Sequence, residues 1–133
     1  EIGAAGDVDT SVVTMEYADG KIAVIKNSRR AAYGYDQRIE MLGSEGLLQA
    51  ENITENSVVK STNAGVVSAK PKYFFIERYI DAYKAEWEAF VKAVNGHEPV
   101  PITLKDGVAA LAMAEAATQS QIAGKSIQLE EVL

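Results

Sequence analysis

Two tyrosines, three arginines and an aspartate occur close together in the stretch Asn27–Glu40. One glycine separates the tyrosines, in the order Tyr33-Gly34-Tyr35. A phenol donates or accepts a hydrogen bond through its hydroxyl group while its ring packs on an apolar surface. These residue types are therefore suited to bind a small molecule that carries hydroxyl groups.

A strand would bring part of this stretch onto one face, because side chains alternate between the two sides of a strand. The predicted polar and aromatic face consists of Asn27, Arg29, Ala31, Tyr33 and Tyr35. Gly34 indicates a bulge or a close approach of the backbone to another segment. Two interpretations remain open: an exposed sheet face with a bend, or a polyol-binding surface or subunit interface built on a sheet.

Three more aromatic residues lie at helical spacing later in the chain. Tyr79 follows Arg78 at the start of a predicted helix, where its hydroxyl group could reach a ligand over the sheet edge. Tyr83 is expected to pack in the core with its hydroxyl group at the surface. Trp87 is expected to lie in the core.

The remaining titratable residues suggest no complete active site. The single histidine, His97, lies in a Gly-His-Glu-Pro turn and has no histidine or cysteine partner at a metal-binding spacing. It therefore predicts neither a metal site nor a catalytic base. Nothing in the pattern of the 19 acidic residues selects a catalytic pair. By its own chemistry, the chain is expected to be a binding or assembly domain, with no catalytic and no cofactor-binding residue.

Composition narrows the possible partners. The chain has 133 residues and a formal net charge of −6, which argues against nucleic acid and against anionic membranes as partners. No apolar run reaches the ~18 residues of a membrane span. With no cysteine and no signal peptide at the start, the sequence fits the cytoplasm. Because it begins without methionine, we expect a fragment or a processed product.

The first half of the chain is predicted to be a series of adjacent antiparallel strands. Val8–Ala18 and Lys21–Ala32 are rich in β-branched residues, and Asp19-Gly20 between them is typical of a type I′ hairpin turn. Further strands are predicted at 37–42, 47–52, 58–61 and 66–69, with turns at Gly43-Ser44-Glu45-Gly46 and Asn63-Ala64-Gly65.

From Phe75 onwards the apolar residues recur at helical spacing, and this helix is expected to stop at Asn95-Gly96. A second helix is predicted from Thr103, a plausible N-cap, to Ala123-Gly124. A last short strand is expected from Ser126 to Leu129.

Strands followed by helices indicate an α+β fold. We expect one domain over residues 1–133. It would contain a predominantly antiparallel open sheet of about six strands, with two main helices packed on one face. The other sheet face is expected to be an oligomer interface, since large open apolar faces usually mark one.

The motifs of the chain resemble those of inositol 2-dehydrogenases in the glucose–fructose oxidoreductase/inositol dehydrogenase/MocA (Gfo/Idh/MocA) family. The more specific motifs are Tyr33-Gly34-Tyr35-Asp36-Gln37-Arg38 and Phe75-Ile76-Glu77-Arg78-Tyr79. Others are Gly6-Asp7-Val8-Asp9-Thr10, Ala18-Asp19-Gly20, Asn27-Ser28-Arg29-Arg30 and Thr103-Leu104-Lys105-Asp106-Gly107. The resemblance covers essentially the whole chain.

The resemblance implies a C-terminal domain whose N-terminal Rossmann domain, which binds NAD or NADP, is absent from this chain. The family's catalytic lysine, aspartate and histidine are also expected to lie outside it. The whole enzyme would oxidise a hydroxyl group of inositol, or of a related polyol or sugar, by hydride transfer. Tyr35 or Tyr33 would contact this substrate, with Tyr79 as a second contact. The resemblance further implies a homodimer or homotetramer formed through the open sheet face. A non-catalytic assembly domain that binds no sugar is the alternative.

Overall fold

A computed structural model describes residues 2–132 of the chain, which form an α+β fold. The six strands are β1 (Thr10–Glu16), β2 (Ile22–Ser28), β3 (Ile39–Gly43), β4 (Gly46–Ala50), β5 (Val59–Thr62) and β6 (Gly65–Ser68). The two helices are α1 (Phe75–Val94) and α2 (Leu104–Ala123). Short 3-10 turns occupy Gly3–Ala5 and Leu129–Glu131. The predicted order of strands and then helices is confirmed.

Hydrogen bonding pairs the described strands two by two, so the open antiparallel arrangement consists of three hairpins. In the second hairpin, Met41 faces Leu48 and the ladder closes at Gly43 and Gly46. In the third, Thr62 faces Gly65. The turns predicted at 43–46 and 63–65 are thus confirmed.

The turn of the first hairpin differs from the predicted type I′ turn. Gly20 has φ +83°, but Asp19 does not have the positive φ that a type I′ turn also requires. Instead, the Gly20 N–H donates to the Tyr17 carbonyl (2.9 Å), and the Tyr17 N–H donates to the Lys21 carbonyl (2.9 Å). The loop is therefore one residue longer than predicted, with the left-handed conformation confined to the glycine.

Both helices stop where predicted, α1 at Val94 before Asn95-Gly96 and α2 at Ala123 before Gly124, and a carboxylate caps the start of each. At the start of α1, the Glu77 carboxylate accepts a hydrogen bond from the Phe74 N–H (3.0 Å). At the start of α2, the Asp106 carboxylate accepts from both the N–H and the hydroxyl group of Thr103, each at 2.7 Å. Such contacts satisfy donors that the first helical turn leaves without partners.

The predicted strand from Ser126 to Leu129 is wrong. Residues 126–128 belong to none of the described ladders, and a 3-10 turn begins at Leu129. Local hydrogen bonding competes with a strand here, because the Ser120 hydroxyl group donates to the Lys125 carbonyl (2.7 Å) as α2 ends.

The chain divides into two compact units. The first consists of the described residues up to Val12 together with Ile25–Lys84. The second consists of Val13–Val24 together with the described residues from Ala85 onwards. In the second unit, Ala112 is buried, but the predicted core position of Trp87 is wrong. The indole contacts Phe90 of the same helix (ring centroids 5.7 Å apart) and remains 66% exposed. Helical spacing reports which side of a helix is apolar, not whether anything covers it.

None of the helices within residues 2–132 combines the length and the apolar character that crossing a membrane requires.

Candidate functional site

The tyrosine-bearing stretch is a loop and not a continuation of the second strand. Strand β2 ends at Ser28 and β3 begins at Ile39. A turn lies between them, in which the Gly34 N–H donates to the Ala31 carbonyl (3.2 Å). The predicted shared face of alternate residues from Asn27 to Tyr35 is therefore wrong, because alternation holds only while the backbone stays extended.

Gly34 makes the close backbone approach that its position predicted. It is buried, has φ +137°, and lies against the segment that leads to α1. A Cβ atom at this position would lie 2.7 Å from the Pro71 carbonyl oxygen. The next residue along, Tyr35, donates its backbone N–H to the Lys72 carbonyl (2.9 Å). The loop is thus fixed to residues 71–72 at the point where Tyr35 leaves the backbone.

The Asp36 carboxylate accepts hydrogen bonds from three side chains. Arg38 donates through Nε (2.8 Å) and Nη2 (3.0 Å), and the Asn52 amide donates through Nδ2 (2.8 Å). The Tyr33 hydroxyl group also donates to Asp36. The arginine contact is the fork geometry in which a guanidinium binds a carboxylate most strongly. Asp36 is therefore a structural acceptor with its oxygens already occupied.

Asn52 links this carboxylate to the next residue of the loop. Its Oδ1 atom accepts a hydrogen bond from the Gln37 N–H (2.7 Å), while its Nδ2 atom donates to Asp36. All three residues are partly buried. The amide of Asn52 thus satisfies both a donor and an acceptor of consecutive loop residues.

The first turns of α1 bring Tyr79 to the loop. Its hydroxyl group donates to the Gln37 side-chain carbonyl, and its ring lies edge-on to the Tyr35 ring (centroids 5.9 Å apart, interplanar angle 73°). Edge-to-face packing is a favourable arrangement for two aromatic rings. The structure therefore unites two of the three predicted site residues, Tyr35 and Tyr79, in one partly buried pair.

Tyr33 has a different environment. Its side chain is half exposed, and its hydroxyl group is engaged by Asp36. Tyr83, expected to be a core residue, instead extends the aromatic pair, with its ring 6.1 Å from the Tyr79 ring and 47% of the residue exposed. Its spacing of one helical turn from Tyr79 could have predicted that the two rings lie side by side. Gln37 lies in the Tyr33–Arg38 motif, but nothing in the sequence marked its amide as a partner of Tyr79, and Asn52 lies in none of the quoted motifs.

Neighbouring groups shift the pKa values of Asp36, Tyr33 and Tyr35. Hydrogen bonds from Arg38, then Tyr33 and Asn52, hold the pKa of Asp36 well below its usual range. Its carboxylate is thus ionised at neutral pH and too weakly basic to accept a proton from an alcohol. The Asp36 carboxylate raises the pKa of Tyr33, and interaction with the Tyr79 hydroxyl group, together with burial, raises that of Tyr35. Both phenols therefore stay protonated and can donate hydrogen bonds.

Arg78 contributes a positive charge beside the aromatic pair. It is partly buried, and its Nε atom is buried without a hydrogen-bond partner among the described residues. Its charge acts on Tyr35 in the direction of a lower pKa, against the stronger effects of Tyr79 and burial.

No metal centre is formed by the part of the chain that the structure describes. Within residues 2–132, no three histidine, cysteine, aspartate or glutamate side chains converge as metal ligands would. The His97 N–H donates to the Lys92 carbonyl (3.0 Å) just beyond α1, which is an ordinary helix-end contact.

Comparison with known proteins identifies the family. Residues 2–129 match the model of the oxidoreductase family's C-terminal alpha/beta domain, GFO_IDH_MocA_C. The chain belongs to the Gfo/Idh/MocA oxidoreductase family. It is 47% identical to myo-inositol 2-dehydrogenase of Thermotoga maritima over 133 residues, which are 100% of this chain and 40% of the relative.

Solved structures agree with the assignment to this family. A myo-inositol dehydrogenase from Corynebacterium glutamicum superposes with a TM-score of 0.86 at 39% identity, over 95% of this chain and 38% of the other. A scyllo-inositol dehydrogenase from Lactobacillus casei, solved with bound NAD(H) and scyllo-inositol, gives 0.85 at 27% identity, over 96% of this chain and 38% of that one. The chain thus spans about two fifths of the length of these family members.

Proposed function

We propose that this chain supplies part of the substrate site of an NAD-dependent inositol dehydrogenase. The whole enzyme would oxidise a secondary hydroxyl group of myo-inositol, or of a related cyclic polyol or sugar, by hydride transfer to the nicotinamide. The observation that carries the proposal is the Tyr35–Tyr79 pair, fixed between a glycine-bearing loop and the start of α1. Two relatives that share this domain at 47% and 43% identity are named as inositol 2-dehydrogenases, which favours a polyol over other alcohols.

The pair suits a cyclic polyol for two reasons. Each hydroxyl group of an inositol ring needs a hydrogen-bond partner when it leaves water, and a phenol can serve as donor or acceptor. The C–H edges of the same ring are apolar and can pack on an aromatic side chain. Because the Tyr79 proton is donated to Gln37, its oxygen is left to accept a hydrogen bond, whereas Tyr35 can donate one. Tyr33 is a further proposed contact through the exposed part of its ring.

The residues of this chain do not fit a dinucleotide site. Such a site needs a strand, a glycine-rich turn and a helix N-terminus at the pyrophosphate. The glycine-containing segment Gly3–Ala5 is a 3-10 turn, and among the described residues the connection from β6 to α1, residues 69–74, contains no glycine. We therefore propose that NAD or NADP and the catalytic residues are supplied by an N-terminal Rossmann domain of the whole enzyme. No metal is required by the proposal.

The test is steady-state kinetics on the protein expressed from its complete coding sequence, with NAD and myo-inositol. Tyr35→Phe and Tyr79→Phe should each raise KM or lower kcat, because each removes one hydroxyl group facing the substrate. Loss of a neutral hydrogen bond costs ~0.5–1.5 kcal/mol, or about twofold to tenfold in kcat/KM.

Tyr17→Phe is the matched control, since Tyr17 is an exposed tyrosine at the first hairpin turn. It should leave kcat/KM unchanged. The 133-residue chain alone is a second control and should not reduce NAD. Unchanged kinetics in both Tyr35→Phe and Tyr79→Phe would reject the substrate role and favour the alternative, a non-catalytic assembly domain.

Assembly remains a second proposed role, because the strands leave apolar side chains in solvent. Those more than half exposed include Val12, Val24, Ile39, Met41, Leu48 and Val66. Exposed apolar faces of this kind commonly become subunit interfaces. We propose a homodimer or homotetramer formed through the strand faces, compatible with the substrate role.

A further inference from the structure

Two consecutive residues after Tyr35, just before β3, are bound by one side chain that lies just beyond β4, the partner strand of the same hairpin. Asn52, just beyond β4, accepts from the Gln37 N–H at 2.7 Å and donates to the Asp36 carboxylate at 2.8 Å. On the other side of Tyr35, Gly34 lies against Pro71. Tyr35 is therefore flanked on both sides by residues whose positions are fixed from outside the loop.

The hydrogen bonds around Asn52 have only one consistent direction. The Gln37 N–H can only donate, and an ionised Asp36 can only accept. The Asn52 amide must therefore present its oxygen to Gln37 and its nitrogen to Asp36, and a rotated amide would lose both bonds. Arg38 completes the arrangement by donating twice to the same carboxylate.

We propose that Asp36 and Asn52 are positioning residues for Tyr35, which act on substrate binding through the loop and without touching the substrate. The inference rests on the proposed function, because it gives the phenol of Tyr35 a polyol to bind. A binding group displaced by about 1 Å loses much of its contribution, so residues that fix its backbone contribute to affinity.

The geometry separates this role from general stabilisation of the fold. The side chains of Asp36 and Asn52 bind backbone or side chains of the same short loop, 33–38, and Asp36 is only 16% exposed at its side chain. A second aspartate–arginine ion pair, Asp7 with Arg29 at 3.2 Å, has both partners exposed and shares no hydrogen bond with the loop partner Asn52. Asp7→Asn is therefore a matched control that breaks an ion pair of the same type.

The test is a double-mutant cycle in the protein expressed from its complete coding sequence, with KM and kcat measured for myo-inositol. Asp36→Asn should raise KM about threefold to tenfold, the effect of a displaced hydrogen-bonding group, with kcat changing less. In a Tyr35→Phe background the same substitution should raise KM less than twofold, because the group it positions is already gone. Asp7→Asn should leave both parameters unchanged.

An equal effect of Asp36→Asn in both backgrounds would overturn the inference, since a purely structural loss is additive. So would an unchanged KM in the folded Asp36→Asn variant. If that variant does not fold, Asn52→Ala, which leaves the Asp36–Arg38 ion pair intact, is taken through the same cycle with the same criteria. If Tyr35→Phe alone leaves kcat/KM unchanged, the proposed contact of Tyr35 with the substrate is rejected. That result differs from equal effects of Asp36→Asn in the two backgrounds, which reject only the positioning role.

Discussion

At the scale of single residues, Asp36 shows how neighbouring groups can make a carboxylate unsuitable for general acid–base catalysis. Arg38, Tyr33 and Asn52 all donate to it, and each bond favours the ionised form. The charge of Asp36 thus stabilises the loop and is unavailable to a substrate proton. The phenols, by contrast, keep their protons and their capacity to bind hydroxyl groups.

The stability that Asp36 provides should depend on pH. Its folded-state pKa lies below the unfolded value, so the stabilisation is present above the unfolded pKa of ~3.9 and is lost as pH falls through the folded pKa. Asp36→Asn should therefore lower the free energy of unfolding at pH 7 by about 1.5–3 kcal/mol, the range for hydrogen bonds to a charged group. Urea unfolding should show this difference narrowing between pH 5 and pH 2. A difference that stays constant over this interval would contradict the assignment.

Gly34→Ala should destabilise the loop at its contact with Pro71. The added Cβ would lie 2.7 Å from a backbone oxygen, and φ +137° is unfavourable for any side chain. A loss of roughly 2 kcal/mol or more in unfolding free energy is expected. Gly3→Ala, whose Cβ would meet open space without a left-handed φ, is the control and should change stability little.

The sequence allowed some of the site residues to be predicted, for identifiable reasons. Tyr35 and Tyr79 were found because they sit in motifs that resemble a family, and Gly34 because glycine between two large residues implies a backbone constraint. The roles of Gln37 and Asn52 were not predicted, although Gln37 belongs to the same motif as Tyr35. The contact of Gln37 with Tyr79 joins residues 42 positions apart, and no local pattern encodes such a pairing.

At the scale of elements, hairpin turns decide the register of the strands. The Asp19-Gly20 pair predicted a hairpin correctly, yet the loop is longer than the type I′ form because Asp19 keeps a negative φ. The Asp19 carboxylate instead accepts a hydrogen bond from the Lys21 N–H (3.3 Å), which favours this local geometry.

Gly20→Ala should weaken the first hairpin. A residue with a Cβ pays about 1 kcal/mol or more in the left-handed conformation at φ +83°. Thermal unfolding should show a lowered midpoint. Gly107→Ala in α2, where the glycine is helical and the Cβ meets open space, should leave the midpoint unchanged or raise it. Equal changes in the unfolding midpoint of both variants would argue against a left-handed Gly20 in the first hairpin turn.

Helix and strand positions were predicted to within a few residues, whereas the loop 29–38 was not. Periodic apolar residues and capping residues act locally, so α1 and α2 could be placed from sequence. Parts of the loop were predicted as strand because alternation was extended past Ser28, while its partners, residues 52 and 71–72, lie outside it.

At the scale of the whole molecule, the second hairpin has one fully apolar face. Met41 lies opposite Leu48, and Ile39 lies opposite Ala50, on the same side of the ladder. The other side carries Glu40 and Gln49, which form a hydrogen bond at 2.8 Å, together with the Leu42–Leu47 pair nearer the turn. Substitutions on the two faces of this one hairpin can therefore be compared to test whether the apolar face forms a subunit interface.

Met41→Lys should reduce the proposed oligomer, because a charged ammonium group would have to leave water on association. Sedimentation of the protein expressed from its complete coding sequence should then show a shift toward the monomer. Gln49→Lys, on the opposite face and beside Glu40, should keep the oligomer intact. Equal dissociation in both variants would argue against an interface on the apolar face.

The contact between the Tyr79 hydroxyl group and Gln37 also bears on the order of folding. Each hairpin closes over a few residues and can form within about 1–10 μs, whereas the Tyr35–Tyr79 pair requires a much larger loop to close. The site should therefore be among the last parts of its unit to form. In native-state hydrogen exchange, the Tyr35 amide bound to Lys72 should open more readily than the amides of the β3–β4 ladder. A substrate that bridges the two tyrosines would then slow the exchange of the Tyr35 amide more than that of the hairpins.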